Sequence, residues 1–264
     1  MPSVYAHYRF GCDVYELLPN KMKVLVSNYR ELYDLGLQGP DILFFYLPVC
    51  HNHVNRLGTH IHHRPGREFF QAAVQTIRSR EKKQASMAYI CGAACHYALD
   101  LVCHPYIVNL VQSRGLNHSA IEGAFERALI AEDHLPLNTL VTGSICPSPR
   151  SAQIIQQFYT RTTARQILWT LTIMIWCNDG LRMKDNLLKK LIFFILRIVG
   201  KYESIAGMVI TPAPLPEFSE SDVELRKLYE SAKPVAIQLI TELLTSVHTG
   251  QKLSNQFDST FLGC

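Results

Sequence analysis

The sequence predicts an all-α fold built as one domain. Apolar residues recur at helical spacing along most of the chain, whereas no segment alternates with the period of two that a half-buried strand requires. No internal repeat is visible. With 264 residues, 48% of them hydrophobic and 18% charged, the chain is apolar enough to build one sizeable core. We therefore expect a single-domain helical bundle that spans residues 1–264.

Proline and glycine residues bound the first predicted helices. Pro19 suits the first turn of a helix that stops at Gly36. A long helix from Gln84 is expected to end at His104, because Pro105 disfavours helical geometry in the residue before it. Further helices are predicted at Arg67–Arg80, Asn117–Glu132, Ser151–Tyr159, Thr163–Cys177 and Met183–Lys201.

The C-terminal helices are expected within residues 151–247 and a polar tail at 248–264. The last helix begins near Ser221, with Glu224 as its capping-box partner, and runs to about Val247. Pro234 is expected to kink it, because proline removes a backbone donor from the helix interior.

Composition argues against a secreted, membrane-spanning or nucleic-acid-binding protein. The start, MPSVYAHYRFG, has no basic segment followed by an apolar one, and the longest apolar run, Ile167–Cys177, is too short to span a bilayer. The eight cysteines form no CxxC pair, which favours free and mostly buried thiols in a reducing cytoplasm. The net charge of +4 is spread along the chain, so we infer no specific nucleic-acid partner and no protein partner.

The segment LLKKLIFFILRIVGK, residues 187–201, has a basic amphipathic pattern. Its lysines and arginine fall on one helical face, so it could make a weak contact with a membrane surface. Such a helix is more often half-buried in its own domain, and that interpretation is preferred here.

Three polar residues are spaced by four within the apolar stretch ACHYALDLVCHPY. His96, Asp100 and His104 lie along one stripe of a helix, since one turn takes 3.6 residues. Imidazoles and carboxylates are usual zinc ligands. The alternative is a polar helix face without metal, on which Asp100 orients a neighbouring histidine.

Two further segments offer candidate ligands. In NHSAIE, His118 and Glu122 are again four apart on a predicted helix, although Ser119 and Glu122 also fit a capping box. Asp41 follows Gly-Pro in a predicted loop at Gly39–Asp41, where it is either a ligand or a turn-forming aspartate.

The histidine-rich segment His51–Pro65 is predicted to be a loop whose histidines are mostly solvated. One of them lies in the right region of the sequence to be a ligand. His7, between Tyr5 and Tyr8, is unremarkable by itself.

Taken together, these motifs resemble the zinc-dependent phospholipase C family, in the all-helical superfamily shared with the fungal single-strand nucleases. The resemblance rests on AHYRFG, GPD, GTHIHHRPGREFF, HYALD, CHPY and HSAIE, which occur in the family's order and cover the N-terminal half of the chain. The later helices agree in class only. The spacing from Asp41 to His62 is longer than in secreted members, and that from His96 to His104 is slightly shorter.

The resemblance implies two to three zinc ions per chain. His62 is preferred to His60 and His63 because it precedes RPGREFF at the family's offset. One zinc would bind Asp41, His62, His96 and Asp100; a second His104, His118 and Glu122; and a third His7, with Asp100 as a shared bridge.

The third zinc raises the question of the N-terminus. In secreted relatives it is bound by the amino group and carbonyl of a mature N-terminal tryptophan. The corresponding spacing from His7 leads here to Pro2, which could chelate zinc after removal of Met1. The alternative is that Pro2 is tolerated at an irregular terminus and His7 is an ordinary surface histidine.

The resemblance also implies a phosphodiester hydrolase, in which a metal-bridging hydroxide is the nucleophile and Asp41 orients water or acts as general base. The preferred substrate is a phospholipid, because no segment interleaves aromatic and basic residues to stack single-stranded bases. A single-strand nuclease or nucleotidase on the same site, and a non-catalytic protein whose helices are stapled by metal, are the alternatives.

Overall fold

The computed structural model describes residues 4–48, 50–80, 83–182 and 213–263. It confirms the all-α fold: β-pairing in the described ranges is limited to an isolated bridge between Pro65 and Thr260. We number the described α-helices in chain order: α1 Val4–Leu17, α2 Asn20–Asn28, α3 Arg30–Gly36, α4 His53–His62, α5 Gly66–Arg78, α6 Gln84–Arg114, α7 His118–Glu132, α8 Pro149–Gln156, α9 Ala164–Arg182 and α10 Ser219–Thr249. Short 3-10 helices cover Gly39–Phe45, Pro216–Phe218 and Asn255–Phe257.

Helix α6 forms the centre of the bundle and packs mainly against α3 and α10. By length and composition it could cross a membrane, but 89% of its most apolar window is buried inside the protein. This burial is typical of a core helix in a globular protein.

Two glycines let α3 approach α6 at backbone distance. A Cβ atom on Gly36 would lie 2.2 Å from the Tyr89 carbonyl oxygen, and one on Gly92 would lie 2.1 Å from that of Tyr33. Only glycine fits such a contact. The close packing brings the chain that follows α3 against the middle of α6.

Two predicted helix boundaries were wrong. The predicted Pro19–Gly36 helix is two helices, because the backbone leaves helical geometry at Tyr29, with φ −135° and ψ 40°. Helix α6 passes Pro105 and continues to Arg114. Ile107 and Leu110 are buried beyond the proline, and their burial offsets the lost backbone hydrogen bond.

The prediction of loops at His51–Pro65 and Gly39–Asp41 was also wrong. The first contains α4, whose N-cap Asn52 accepts hydrogen bonds from the backbone N–H groups of Val54 and Asn55 at 2.9 and 3.0 Å. Asparagine is a favoured N-cap residue, so Asn52 was the feature of the sequence that could have indicated the start of α4. The second opens a 3-10 helix, with Pro40 in its first turn.

The C-terminal region departs from expectation at both ends of α10. The predicted capping box at Ser221 does not form; the Ser221 hydroxyl donates to the Phe218 carbonyl at 2.8 Å instead. The residues after α10 are not a purely polar tail, because Phe257 and Phe261 are fully buried. The predicted Met183–Lys201 helix, and with it the 187–201 segment, lies outside the described residues.

The described cysteines are free thiols. Cys91, Cys95 and Cys103 on α6 are buried, whereas Cys50 and Cys146 are exposed. Burial raises the pKa of Cys177 to about 11, so that this thiol stays protonated at neutral pH.

Candidate metal centre

Three groups of side chains within the described part of the chain could each hold a metal ion. In each group one ligand atom per residue lies within 4.8 Å of the others. Every member was predicted from the sequence as a zinc ligand. Two of the groups share His96, and the remaining group is linked to them by Asp100, which lies 3.8 Å from His104, so that all three form one cluster, the metal centre. The first group is Asp41, His62 and His96, the second is His104, His118 and Glu122, and the third is His7, His96 and Asp100.

The first group brings together side chains from the 3-10 helix Gly39–Phe45, from α4 and from α6. Asp41 is 1% exposed, and its Oδ1 lies 2.9 Å from Nε2 of His62. Gly39, two residues before Asp41, has φ +52°, and a Cβ there would lie 2.3 Å from the His96 ring. The GPD motif therefore needs its glycine both for backbone conformation and for the close approach of His96.

The orientation of α4 determines which histidine of the His51–Pro65 segment faces the metal centre. His62 is buried and faces Asp41, whereas His60 and His63 are exposed. The Nδ1 atom of His63 hydrogen-bonds the Thr59 carbonyl of its own helix at 2.9 Å. Of the three histidines, His62 is the one that the fold brings to the metal centre, and its role as a ligand stays a prediction.

The second group lies where α6 meets the start of α7. Glu122 Oε1 is 3.4 Å from Nε2 of His104 and 3.1 Å from Nε2 of His118. Asn117, not Ser119, caps α7, by accepting a hydrogen bond from the Ala120 N–H at 3.1 Å. Glu122 thus faces the two histidines and not the helix terminus, which argues against the capping-box alternative.

The third group places α1 beside α6. His7 is buried, stacks on His96 with 4.2 Å between ring centroids, and has Nε2 at 3.5 Å from Asp100. Asp100 also lies 3.2 Å from His96 and 3.8 Å from His104, so it occupies the middle of the cluster. His7 is therefore not the surface histidine of the alternative interpretation. Pro2 lies outside the described residues.

Backbone carbonyls orient three of the imidazoles, a feature that the sequence did not reveal. The Nδ1 atom of each ring donates to a carbonyl oxygen, and this leaves Nε2 directed towards the carboxylates. The pairs are His62 to Gly58 at 2.7 Å, His96 to Leu37 at 3.2 Å and His104 to Phe261 at 2.7 Å. Metal-binding histidines typically make this second hydrogen bond, which fixes the ring and its tautomer.

The electrostatics of the cluster favour a bound cation. Burial raises the pKa of Asp100, but His104 and His96 outweigh it and hold this pKa well below the ordinary value. Burial lowers the pKa of His104, yet Asp100 and Glu122 raise it to about 9. Burial and the adjacent His96 lower the pKa of His7 to about 4, so its lone pair is available at neutral pH. Buried carboxylates of this kind require a positive partner.

The donor atoms fit zinc in kind and in spacing. Two ligands bound to one tetrahedral zinc lie about 3.4 Å apart. The nitrogen–oxygen separations within the cluster range from 2.9 Å for Asp41–His62 to 3.8 Å for Asp100–His104. Among the described residues, Nε2 of His62 and Nε2 of His96 are buried without a well-aligned hydrogen bond. Imidazole lone pairs aimed at carboxylates in this way are suited to a metal ion between them.

A small cavity lies inside the cluster. Its volume is about 30 Å³, enough for a water-sized species, and its polar walls are His7, Asp100, His104 and Glu122. Apolar side chains, among them Leu99 and Phe125, form most of the remaining lining. His7 and Asp100 of the third group and His104 and Glu122 of the second group therefore line the same cavity.

The family comparison agrees with this geometry. A family model described as zinc dependent phospholipase C matches residues 6–171, a range that contains every donor residue of the three groups. No curated protein and no solved structure gives a match. The matched range covers more than half of the 264 residues. The chain belongs to the zinc dependent phospholipase C family.

Proposed function

We propose that this protein is a zinc-dependent phosphodiester hydrolase that acts on phospholipid-type substrates. The observation that carries the proposal is the buried cluster of three donor groups, joined through His96 and Asp100, inside a chain of this family. The family's description names both the metal and the kind of substrate.

The ligand assignment follows from which atoms face one another. We assign Asp41, His62 and His96 to one zinc and His104, His118 and Glu122 to a second, with His7 and Asp100 available to a third. The Nε2 atom of His96 lies in two of the groups but has one lone pair, so it can serve one ion only. We therefore propose that Asp100, which has two oxygens, forms the bridge.

Zinc held by these groups would supply Lewis acidity, which would polarise a phosphoryl oxygen and lower the pKa of water to about 7. In the proposed reaction, Asp41 orients a water molecule and accepts its proton while the water oxygen attacks phosphorus. The P–O bond to the leaving alkoxide breaks, and the alkoxide takes a proton from solvent.

Solvent reaches the cluster at the start of α7. The His118 side chain is 31% exposed and that of Glu122 12%, whereas those of His62 and Asp41 are 7% and 2% exposed. We therefore propose that the phosphodiester group approaches from the His118 side.

Metal content and hydrolysis test the proposal together. Elemental analysis of the purified full chain is expected to give two to three zinc ions. Hydrolysis of bis-p-nitrophenyl phosphate is expected to stop with a chelator and to recover when zinc is restored.

Three results would overturn parts of this proposal. Protein that retains no stoichiometric transition metal after zinc is supplied contradicts the whole assignment. Protein that binds zinc but does not hydrolyse the phosphodiester would indicate a structural metal site that only holds the helices together. Faster cleavage of single-stranded DNA than of phosphatidylcholine would replace the lipid substrate with a nucleic acid.

A further inference from the structure

Both tryptophans of the chain lie exposed on one face of α9. Trp169 and Trp176 are 50% and 58% exposed, and the sequence contains no other tryptophan. Arg165 and Thr172 are exposed on the same stripe, at positions i, i+4, i+7 and i+11 with the tryptophans. The two indoles are about 10 Å apart along the helix axis. We call this stripe the α9 face.

A cationic cavity adjoins the start of the α9 face. It has a volume of about 610 Å³ and lies between α4 and the turn before α9. The described residues of its walls are His53, Arg56, Leu57, His60, Thr160 and Arg161, with no carboxylate among them. His53 contacts Gln166, the neighbour of Arg165, at 3.3 Å, which connects the cavity to the helix.

The arginines of this region have no carboxylate partner among the described residues. Arg56, Arg161 and Arg165 form no salt bridge with any described residue, whereas Arg9, Arg30 and Arg226 are each paired with a carboxylate. Arg161 also has φ +62°, a left-handed backbone conformation that non-glycine residues rarely adopt. The region therefore presents uncompensated positive charge to whatever binds there.

An apolar groove lies near the other end of the face. Trp176 and Thr172 line it together with Pro147, Ile175, Gly180 and one carboxylate, Asp179, in a volume of about 360 Å³. Asp179 accepts a hydrogen bond from Thr142 at 2.6 Å, which attaches the loop that carries the exposed Leu140. Aromatic and apolar groups thus continue beyond the tryptophans.

We propose that the α9 face and the adjoining cationic cavity seat this protein on an anionic phospholipid bilayer. Indole rings favour the boundary between lipid headgroups and acyl chains. Unpaired arginines at the same surface attract the headgroup phosphates. This inference rests on the proposed function in its choice of lipid as the partner.

A second copy of the chain fits this surface poorly. In a two-fold dimer the same patch meets itself, so each copy would bring Arg56, Arg161 and Arg165 into an interface whose described lining offers one carboxylate, Asp179, per copy. An anionic bilayer compensates that charge, and a second copy adds to it.

The tryptophan fluorescence of the unmodified protein reports directly on the α9 face, because the only two tryptophans of the chain lie there. Vesicles of phosphatidylcholine with phosphatidylserine are expected to shift the tryptophan emission of the full chain to shorter wavelength and to protect it from acrylamide. Phosphatidylcholine vesicles without anionic lipid are expected to bind less. Brominated acyl chains in the vesicles are expected to quench the emission.

Variants test the two parts of the surface separately. The double variant Arg56→Gln, Arg161→Gln should bind anionic vesicles with roughly 25-fold lower affinity, at about fivefold per charge removed, as measured by co-sedimentation. Trp169→Ser with Trp176→Ser should weaken binding to both kinds of vesicle. Arg80→Gln and Val223→Ser, at exposed positions elsewhere, are the matched controls and should bind as the parent chain does.

Unchanged tryptophan emission with vesicles overturns the inference, as does an emission shift that follows protein concentration and dimer formation without lipid. The outcome is separable from that of the proposed function. Lipid-dependent emission in a protein without hydrolase activity contradicts only the hydrolase. Zinc-dependent hydrolysis of bis-p-nitrophenyl phosphate without any emission shift contradicts only the docking face.

Discussion

His62 Nε2 lies 2.9 Å from Asp41 Oδ1, while its Nδ1 donates to the Gly58 carbonyl at 2.7 Å. The ring is thus oriented by its own helix, with its second nitrogen turned to a carboxylate from another element. His62→Ala is expected to remove one zinc ion, measured by elemental analysis, because this group has three donors. His60→Ala and His63→Ala are controls on the same stretch, and loss of zinc from either would mean that the wrong histidine is assigned.

Asp100 contacts three histidines, whereas Glu122 contacts two. Asp100→Asn should therefore reduce phosphodiesterase activity roughly tenfold more than Glu122→Gln, with a larger loss of zinc. Hydrolysis rate and zinc content are measured for both purified variants. Equal losses would show that Asp100 is not the bridge.

Gly39→Ala should perturb the first donor group without replacing any of its donor residues. The substitution costs about 1 kcal/mol at φ +52°, and its methyl group would meet the His96 ring, which Leu37 and Asp100 hold in place. We expect zinc affinity to fall about 10- to 100-fold. Gly143→Ala, where the nearest atom would be 3.9 Å away, should leave it unchanged. Unaltered affinity in Gly39→Ala would show that the His96 ring can shift freely.

Zinc affinity should rise with pH above neutrality. Asp100 and Glu122 outweigh burial and raise the pKa of His104 to about 9, so at pH 7 the metal must displace a proton from this ring. We expect the His104–His118–Glu122 group to bind zinc about tenfold more tightly per pH unit up to that pKa. His7, with a pKa of about 4, is already neutral and adds no dependence there. Calorimetric titrations with zinc at several pH values measure this slope, and a flat profile would contradict it.

The sequence by itself determined the helical class and the donor pairs that are close in the chain. A spacing of four residues puts His96 near Asp100, and His118 near Glu122, on any helix. These pairings depend only on local spacing, so they were predicted correctly although the end of α6 was wrongly placed at His104. The order of the motifs identified the family for the same reason, because it does not depend on how the helices pack.

The resemblance had already favoured His62, but only the tertiary structure decided that this side chain is buried against Asp41 and how the rings are oriented. The acceptor for His96 is 59 residues away in the chain, and that for His104 is 157 residues away, in a tail expected to be polar. These contacts follow from backbone approach at Gly36 and Gly92 and from the burial of Phe261. Packing of this kind depends on residues far apart in sequence, and side-chain periodicity does not encode it.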